Sequence, residues 1–372
     1  MISPYLDLWQ QLTPDSWLRA LTALIITALL IPFSLPLATR LGLLDQPGGR
    51  KQHDAPTPVH GGLAILAAMV CSSLFFGDYR SPLTLVFFLA GGLLILIGAI
   101  DDFRGLGWRF RLGAQVVAAL IMAIVGGAAV QQLSDVFGVN GLMLGWLGIP
   151  VTIFVVVGTI NALNMADGLD GLAAGQALVS LLLFTCFALY AGNIPMAERL
   201  LTVAAAVVGF MIWNMRFPWQ PRARVFLGDA GSMLLGFVIA WAAVRLTQTP
   251  SHPISPVLGP WTIALPLIDC VALIFRRMVQ GRSPFSADRD HLHHLLLDAG
   301  YRPTAIAFGM MVVSALMGLS AAVAVKAGVY RPFLVLGFLF LIVLYYLLTT
   351  DRAHAVALFS RLRPGRLATS HD

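Results

Sequence analysis

Two adjacent aspartates, Asp101 and Asp102, close an apolar run in GGLLILIGAIDDFRGL. Further on, NALNMADGLDGL places Asn161, Asn164, Asp167 and Asp170 directly after VTIFVVVGTI, which has no polar group larger than threonine. RVFLGDAGSM contributes Asp229, and GRSPFSADRDHLHHLLLDAG contributes Arg282, Arg289, His291, His293 and His294. RKQHDAPTPVHGG brings Lys51 and His53 beside Arg50. Hard oxygen donors without thiols favour Mg²⁺, with Mn²⁺ as the second choice. The histidines stand among arginines and aspartates instead of cysteines, a setting that suits phosphate oxygens better than zinc. Carboxylates for a metal and cations for phosphates together describe metal-assisted phosphoryl transfer.

Spacing restricts how these groups meet. Residues three apart on a helix are offset by about 60°, so Asn161 and Asn164 share a face, as do Asn164 and Asp167. A continuous helix would turn Asp170 away to the side opposite Asn161. Gly168 and Gly171 allow a break there, so the spacing predicts a corner between two helices. Asp101 and Asp102 repel each other and need a cation or arginines nearby. Asp229 opens a helix and reads two ways. It is either an N-cap or a metal ligand beside free backbone N–H groups, where Gly228 and Gly231 would let a phosphate approach. His291 and His294 fall on one face of a short helix, and His293 points elsewhere.

The elements that must position these residues are set by composition. The chain is 58% hydrophobic and only 11% charged, with a mean hydropathy of +0.82. Such values and repeated apolar runs near 20 residues long define an all-α polytopic membrane protein. About eleven spans are expected, near 16–39, 60–76, 82–100, 111–130, 147–165, 171–191, 197–214, 229–247, 259–278, 304–324 and 332–350. One set of loops carries 18 of the 24 Lys and Arg residues. The positive-inside rule makes that side cytoplasmic, the N-terminus periplasmic and the C-terminus cytoplasmic. All five polar clusters then fall at the cytoplasmic face, which marks one active site there. A single domain, 1–372, is expected, with the motifs in 45–300 and a short basic tail, 352–372, against the anionic inner leaflet. Cys71, Cys186 and Cys270 sit in apolar runs and read as small hydrophobes. The opening MISPYLDLWQQLTPDSW has two acids and no base, a poor signal peptide. The net charge of +6 follows from the loop asymmetry. No basic stripe with interleaved aromatics points to nucleic acid.

RKQH with its downstream HGG, the Asp101–Asp102 pair, NALNMADGLDGL, FLGDAGS and the HLHH segment together resemble the polyprenyl-phosphate N-acetylhexosamine-1-phosphate transferases. The histidine segment is most similar to the WecA/TagO-like branch. The resemblance implies an enzyme of the bacterial cytoplasmic (inner) membrane. It would move GlcNAc-1-phosphate, or a related HexNAc-1-phosphate, from a UDP-sugar to undecaprenyl phosphate and release UMP. The product would initiate O-antigen or a related surface glycan, and a homodimer is plausible. The family pattern implies Asp229 as the Mg²⁺ ligand, Asp101 as the base or orienting group for the lipid phosphate, and Asp102 as support for it or the metal. It gives Asn164, Asp167 and Asp170 to the nucleotide or the metal's outer shell. Arg282, Arg289, His291, His293 and His294 would hold the diphosphate and sugar, and Lys51 and His53 would face an anionic substrate.

Two other classes compete. Intramembrane acids and broken spans also occur in ion-coupled transporters, but there they sit near the bilayer midplane, between inverted repeats that this sequence lacks. A CDP-alcohol phosphatidyltransferase would need a DGxxAR…GxxxD pattern, which is missing.

Overall fold

The computed structural model describes residues 8–46, 56–139, 141–248, 254–284, 286 and 289–363. Among them, nine helices are long and apolar enough to cross a membrane: α1 (Pro14–Arg40), α3 (Pro82–Arg104), α4 (Trp108–Leu120, continued by a π turn to Val125), α5 (Gly148–Met165), α6 (Leu172–Tyr190), α7 (Ile194–Asn214), α8 (Gly228–Gln248), α11 (Pro303–Lys326) and α12 (Arg331–Thr349). The other two expected spans also hold helices, but shorter ones. These are α2 (Gly61–Phe75) and α9 (Ala264–Val279), the latter set off at Ile263 from a short helix, Leu258–Thr262. Besides the four- and five-residue helices Ser134–Phe137 and Leu258–Thr262, two small helices follow, α10 (Leu292–Asp298) and α13 (Arg352–Leu362). The protein is a multi-pass membrane protein.

Local sequence explains the helix boundaries. Pro14, Pro82 and Pro303 stand at first-turn positions, where no N–H is needed. Thr13 and Ser16 close a reciprocal capping box on α1. α1 also tolerates Pro32 and Pro36 in its interior, as spans do when neighbouring helices satisfy the freed carbonyls. Burial then ranks the spans. The window of α8 is 83% buried and that of α12 only 11%, so α8 is the central post and α12 lies at the rim. The rim exposes Leu336, Phe340 and Leu347, and α1 exposes Leu29, Phe33 and Leu37. Such surfaces are tolerated because the surrounding solvent is hydrocarbon.

Small residues bring backbones together at the functional end of α8. A Cβ on Gly62 of α2 would meet the backbone of Gly231, and one on Gly98 of α3 would meet that of Ala230. Close glycine contacts of this kind suit helix association in lipid. The all-α expectation needs one small amendment. Strands β1 (Leu44–Asp45) and β2 (Thr57–Pro58) pair antiparallel, and Val59 bridges Phe226. This ladder ties the start of α2 to the segment that leads into α8.

Candidate active site

The corner predicted at Gly168 and Gly171 is present. α5 ends at Met165 and α6 begins at Leu172. Gly171 takes a φ of +79°, which a side chain would resist. Its N–H donates to Asn214 Oδ1 at 2.8 Å, and Asn214 Nδ2 donates to the Val225 carbonyl at 2.9 Å. The corner is therefore pinned to the end of α7 and to the approach to α8. Asp170 strengthens that pin. Its Oδ2 accepts from Arg216 Nε at 2.7 Å and from the Ala223 N–H at 3.0 Å. Asp170, expected at the nucleotide, spends this oxygen on holding the loop before α8.

The N-cap function at α8, read for Asp229, belongs to Asp102, which reaches over from the last turn of α3. Its carboxylate accepts from the N–H groups of Asp229 at 2.8 Å and of Ala230 at 3.2 Å. A negative charge at a helix N-terminus is favourable, and both oxygens are engaged. Each oxygen keeps a further lone pair, so positioning the first turn of α8 is compatible with the metal role expected of Asp102. The Asp229 side chain turns toward α5 and α4. Oδ1 accepts from Asn164 Nδ2 at 2.5 Å, and Oδ2 from Arg111 Nη1 at 3.2 Å. Asn164 also reaches Ser232 Oγ at 2.9 Å, and Asn161 donates to Gln115 at 2.6 Å.

Asp101 is 6% exposed. It takes the N–H of Leu106, made possible by the left-handed turn at Gly105 (φ +66°). The same Arg111 nitrogen lies 3.0 Å from Asp101 Oδ2. One guanidinium nitrogen thus bridges Asp101 and Asp229. A proton-accepting role for Asp101 is limited by this enclosure.

Asp167 differs from its neighbours. Its side chain is solvent-accessible, yet protein atoms surround it so densely that it behaves electrostatically as a buried group. Desolvation first, then the charges of Asp229, Asp102, Asp170 and Asp45, push its pKa up to about 8. At pH 7 Asp167 is therefore mainly protonated.

The histidine segment meets this corner. The ring of His293 packs on Gly168, where any Cβ would collide with its Nε2. His293 is 2% exposed, and its Nε2 is buried without a partner. It lies between the rings of His291 (5.5 Å) and His294 (4.2 Å). Burial, and then the neighbouring imidazoles, lower its pKa to about 3. Burial and His291 lower that of His294 to about 4. Both are neutral at pH 7. His291 caps α10 through its backbone. Its Nδ1 lies 2.7 Å from Asp269 Oδ2, and Asp269 also accepts from the Leu292 N–H at 3.0 Å and from Tyr345. Arg352 of α13 fastens the same segment through Asp290 at 2.8 Å, Asp298 and the Arg289 carbonyl. Arg289 is exposed, 3.9 Å from Asp298. Arg282 is exposed on the loop after α9, 3.4 Å from Gln280. Lys51 and His53 lie outside the described residues.

Sequence reasoning missed Arg111, Asp45, Asp269, Tyr345 and Arg352. Only Asp269 left a direct signal, as a lone acid inside the apolar run ALPLIDCVALIF. The others are ordinary in type and gain meaning only through contact.

Among the described residues, no three His, Cys, Asp or Glu side chains form a ready metal cage. Magnesium does not need one. It commonly takes one or two carboxylates and fills its shell with water and substrate phosphates. Asp229 and Asp102, whose carboxylate accepts from the Asp229 N–H, are a donor set of that kind.

Fold and site thus define a multi-pass helical membrane protein with a cluster of aspartates and histidines at one end of its bundle. The sequence profile of glycosyl transferase family 4 matches residues 84–247. The chain is 35% identical over 344 residues to the undecaprenyl-phosphate alpha-N-acetylglucosaminyl 1-phosphate transferase of Escherichia coli O157:H7, covering 92% of this chain and 93% of that one. It is 34% identical to the enzyme of the same name from Salmonella typhimurium, covering 95% and 97%. The enzyme of that name from Haemophilus influenzae is 34% identical over 71% of this chain and 74% of its own. The chain belongs to glycosyl transferase family 4.

Proposed function

We propose that the protein transfers GlcNAc-1-phosphate from UDP-GlcNAc to undecaprenyl phosphate at the cytoplasmic face of the bacterial inner membrane. A phosphate oxygen of the lipid attacks the β-phosphorus of the nucleotide sugar. A new P–O bond forms, and the bond from the β-phosphorus to the oxygen bridging to the α-phosphorus breaks. That oxygen leaves on UMP. The lipid-linked diphosphate sugar would then start O-antigen or a related surface glycan, and a related UDP-HexNAc is the alternative donor.

Both substrates are anions that repel each other, so their approach is the first problem the site must solve. A bound Mg²⁺ would supply charge neutralisation and Lewis acidity, held by Asp229 with Asp102. Asn164 and Arg111 fix the Asp229 carboxylate in one orientation. Asp102 holds the backbone of Asp229 in place through the first turn of α8. Asp167, the accessible carboxyl, faces the incoming phosphates and their metal. The neutral, part-exposed His294 donates an N–H to sugar or phosphate oxygens, with His293 packed on Gly168 and His291 anchored by Asp269 behind it. Arg289 supplies positive charge at the edge of that segment.

One observation carries this reading. Asp101, Asp102, Asn164, Asp167, Asp229 and His293, drawn from four separated sequence segments, meet at one end of the bundle. A midplane transport site would place them elsewhere. The test is UMP release by the purified protein with UDP-GlcNAc, undecaprenyl phosphate and Mg²⁺, each omitted in turn. UMP should form only with all three. UMP formed without the lipid would mean hydrolysis instead of transfer, and a panel of UDP-HexNAc donors reads specificity.

A further inference from the structure

A tight turn stands at the carboxylate end of the bundle, between α7 and α8. The N–H groups of Phe217 and Gln220 each donate to the other's carbonyl at 2.9 Å, which leaves Pro218 and Trp219 at the tip. Gln220, 5% exposed, folds back on α7, where its Nε2 donates to the carbonyls of Met215 at 2.7 Å and Ile212 at 3.2 Å. It thereby serves carbonyls that a helix end leaves open. The turn is held at the level where α7 leaves the hydrocarbon. Arg216 and Ala223, on either side of it, both donate to Asp170, so the turn and the α5–α6 corner are one unit.

The tip of the turn is apolar and uncovered. Trp219 is 75% exposed and stacks in parallel on Phe217, with ring centres 5.2 Å apart. Pro218 and Pro221 beside it are exposed and stiffen the backbone. Water is a poor solvent for such a surface, whereas an indole ring fits the boundary between hydrocarbon and head groups. Charge points the same way. Residues 215–227 hold three arginines and no acid. Arg216 pairs with Asp170, and Arg222 and Arg224 are exposed. The Arg224 guanidinium lies 5.6 Å from the ring centre of Trp213, whose Nε1 donates to the Ala28 carbonyl of α1 at 2.8 Å. α1 exposes Leu29 and Phe33 around this bond, so Arg224 stands on the lipid-facing flank where α1 and α7 meet.

We propose that the turn from Phe217 to Gln220 is an anchor for an anionic lipid surface. Trp219 sits among the head groups of the leaflet at the carboxylate end, and Arg222 and Arg224 meet their phosphates. The anchor fixes the depth of the α5–α6 corner, and with it that of Asp167 and of His293 on Gly168. It requires the multi-pass fold and not the proposed transfer reaction. A nucleotide base could also stack on Trp219, but a site for a soluble nucleotide gives no role to an arginine on the lipid-facing flank.

Fluorine NMR of the full chain in lipid nanodiscs tests it. The eight tryptophans are replaced by fluorotryptophan, and the resonance lost in Trp219→Phe identifies the ring. A nitroxide high on a lipid acyl chain should broaden that resonance more than one near the chain end or a gadolinium chelate in the water. Stronger broadening by either of the other two probes would overturn the proposal. In mixed nanodiscs the nitroxide should broaden it roughly twofold or more when carried on phosphatidylglycerol than when carried on phosphatidylcholine. Arg222→Gln with Arg224→Gln should abolish that preference, in protein whose helical circular dichroism and gel filtration match the wild type. Should the double variant fail to fold, high salt becomes the deciding condition, with a weaker preference expected in the wild type. Equal broadening from both lipids would overturn the proposal, as would a preference that survives the double variant or, in that event, high salt. UDP added alone should leave the broadening unchanged, and shielding of the ring by UDP would assign it to base stacking and overturn the anchor.

Discussion

Asp102→Asn tests the positioning role at the carboxylate pair. In the native protein its two oxygens accept from the N–H groups of Asp229 and Ala230 at 2.8 and 3.2 Å. Asparagine keeps one acceptor and turns an NH₂ toward the second N–H, which is then orphaned. Losing a charge-assisted hydrogen bond costs about 1.5–3 kcal/mol, and weakening an N-cap costs about 0.5–2 kcal/mol. These overlap, and removing a negative charge beside Asp229 and Asp101 relieves some repulsion. The net expectation is destabilisation of about 2 kcal/mol, roughly a thirtyfold fall in the folded-to-unfolded ratio. Unfolding in mixed detergent–SDS micelles, followed by tryptophan fluorescence, would read it, with UMP release measured in parallel. Asp229→Asn is the comparator. It keeps its backbone N–H and should unfold near wild type, while turnover falls by about a hundredfold or more. Unchanged stability in Asp102→Asn together with abolished turnover would refute the positioning role, because Asp102 would then act on the metal or substrate alone.

Further outcomes follow from the same contacts. His293 and His294 titrate near 3 and 4 in the folded protein, against 6.5 when free. Between those values the unfolded chain binds more protons, so stability is full above pH 6.5 and falls as the pH drops toward about 4. Each histidine contributes a slope of up to about 1.4 kcal/mol per pH unit. His293→Gln should flatten the pH–stability curve, and an unchanged curve would contradict the burial argument. Gly98→Val should push α3 from the backbone of Ala230 and Asp229 and abolish UMP release in protein that still inserts; normal turnover would show that the close approach is dispensable. Arg352→Ala should free the histidine segment, with its Asp290 and Asp298, from α13. Its partly exposed pairs contribute only about 1 kcal/mol or less to stability, so the effect should appear as a raised KM for the UDP-sugar with kcat largely kept.

Much of this molecule could be read before its structure was known, because lipid imposes strict rules. Apolar length located a helix in each of the eleven expected spans, since any backbone crossing hydrocarbon must bond to itself. The corner at Gly168 and Gly171 was also readable, because a continuous helix would have scattered its polar residues. Helix completeness was not. Gly61–Phe75 is short, and the run at 259–278 breaks at Ile263, where hydropathy alone sees no interruption. The capping role of Asp102 was hidden for a different reason. Either aspartate could cap or ligate by type, and the choice depends on α3 ending beside the first turn of α8. Arg111 and Arg352 were invisible because an arginine near a helix end is ordinary until its partners are known. The neutral state of His293 likewise arises from tertiary burial against Gly168.

The most direct test of the proposed reaction follows the β-phosphorus. UDP-GlcNAc labelled with ³²P in its β-phosphate is incubated with undecaprenyl phosphate, Mg²⁺ and the purified full chain, and the lipid is extracted. Transfer of GlcNAc-1-phosphate predicts that the label enters the lipid fraction in step with unlabelled UMP in the aqueous phase, and that Asp229→Asn abolishes both. Label left in the water as UDP, with the sugar alone on the lipid, would contradict the account, as would an absence of labelled lipid from folded protein.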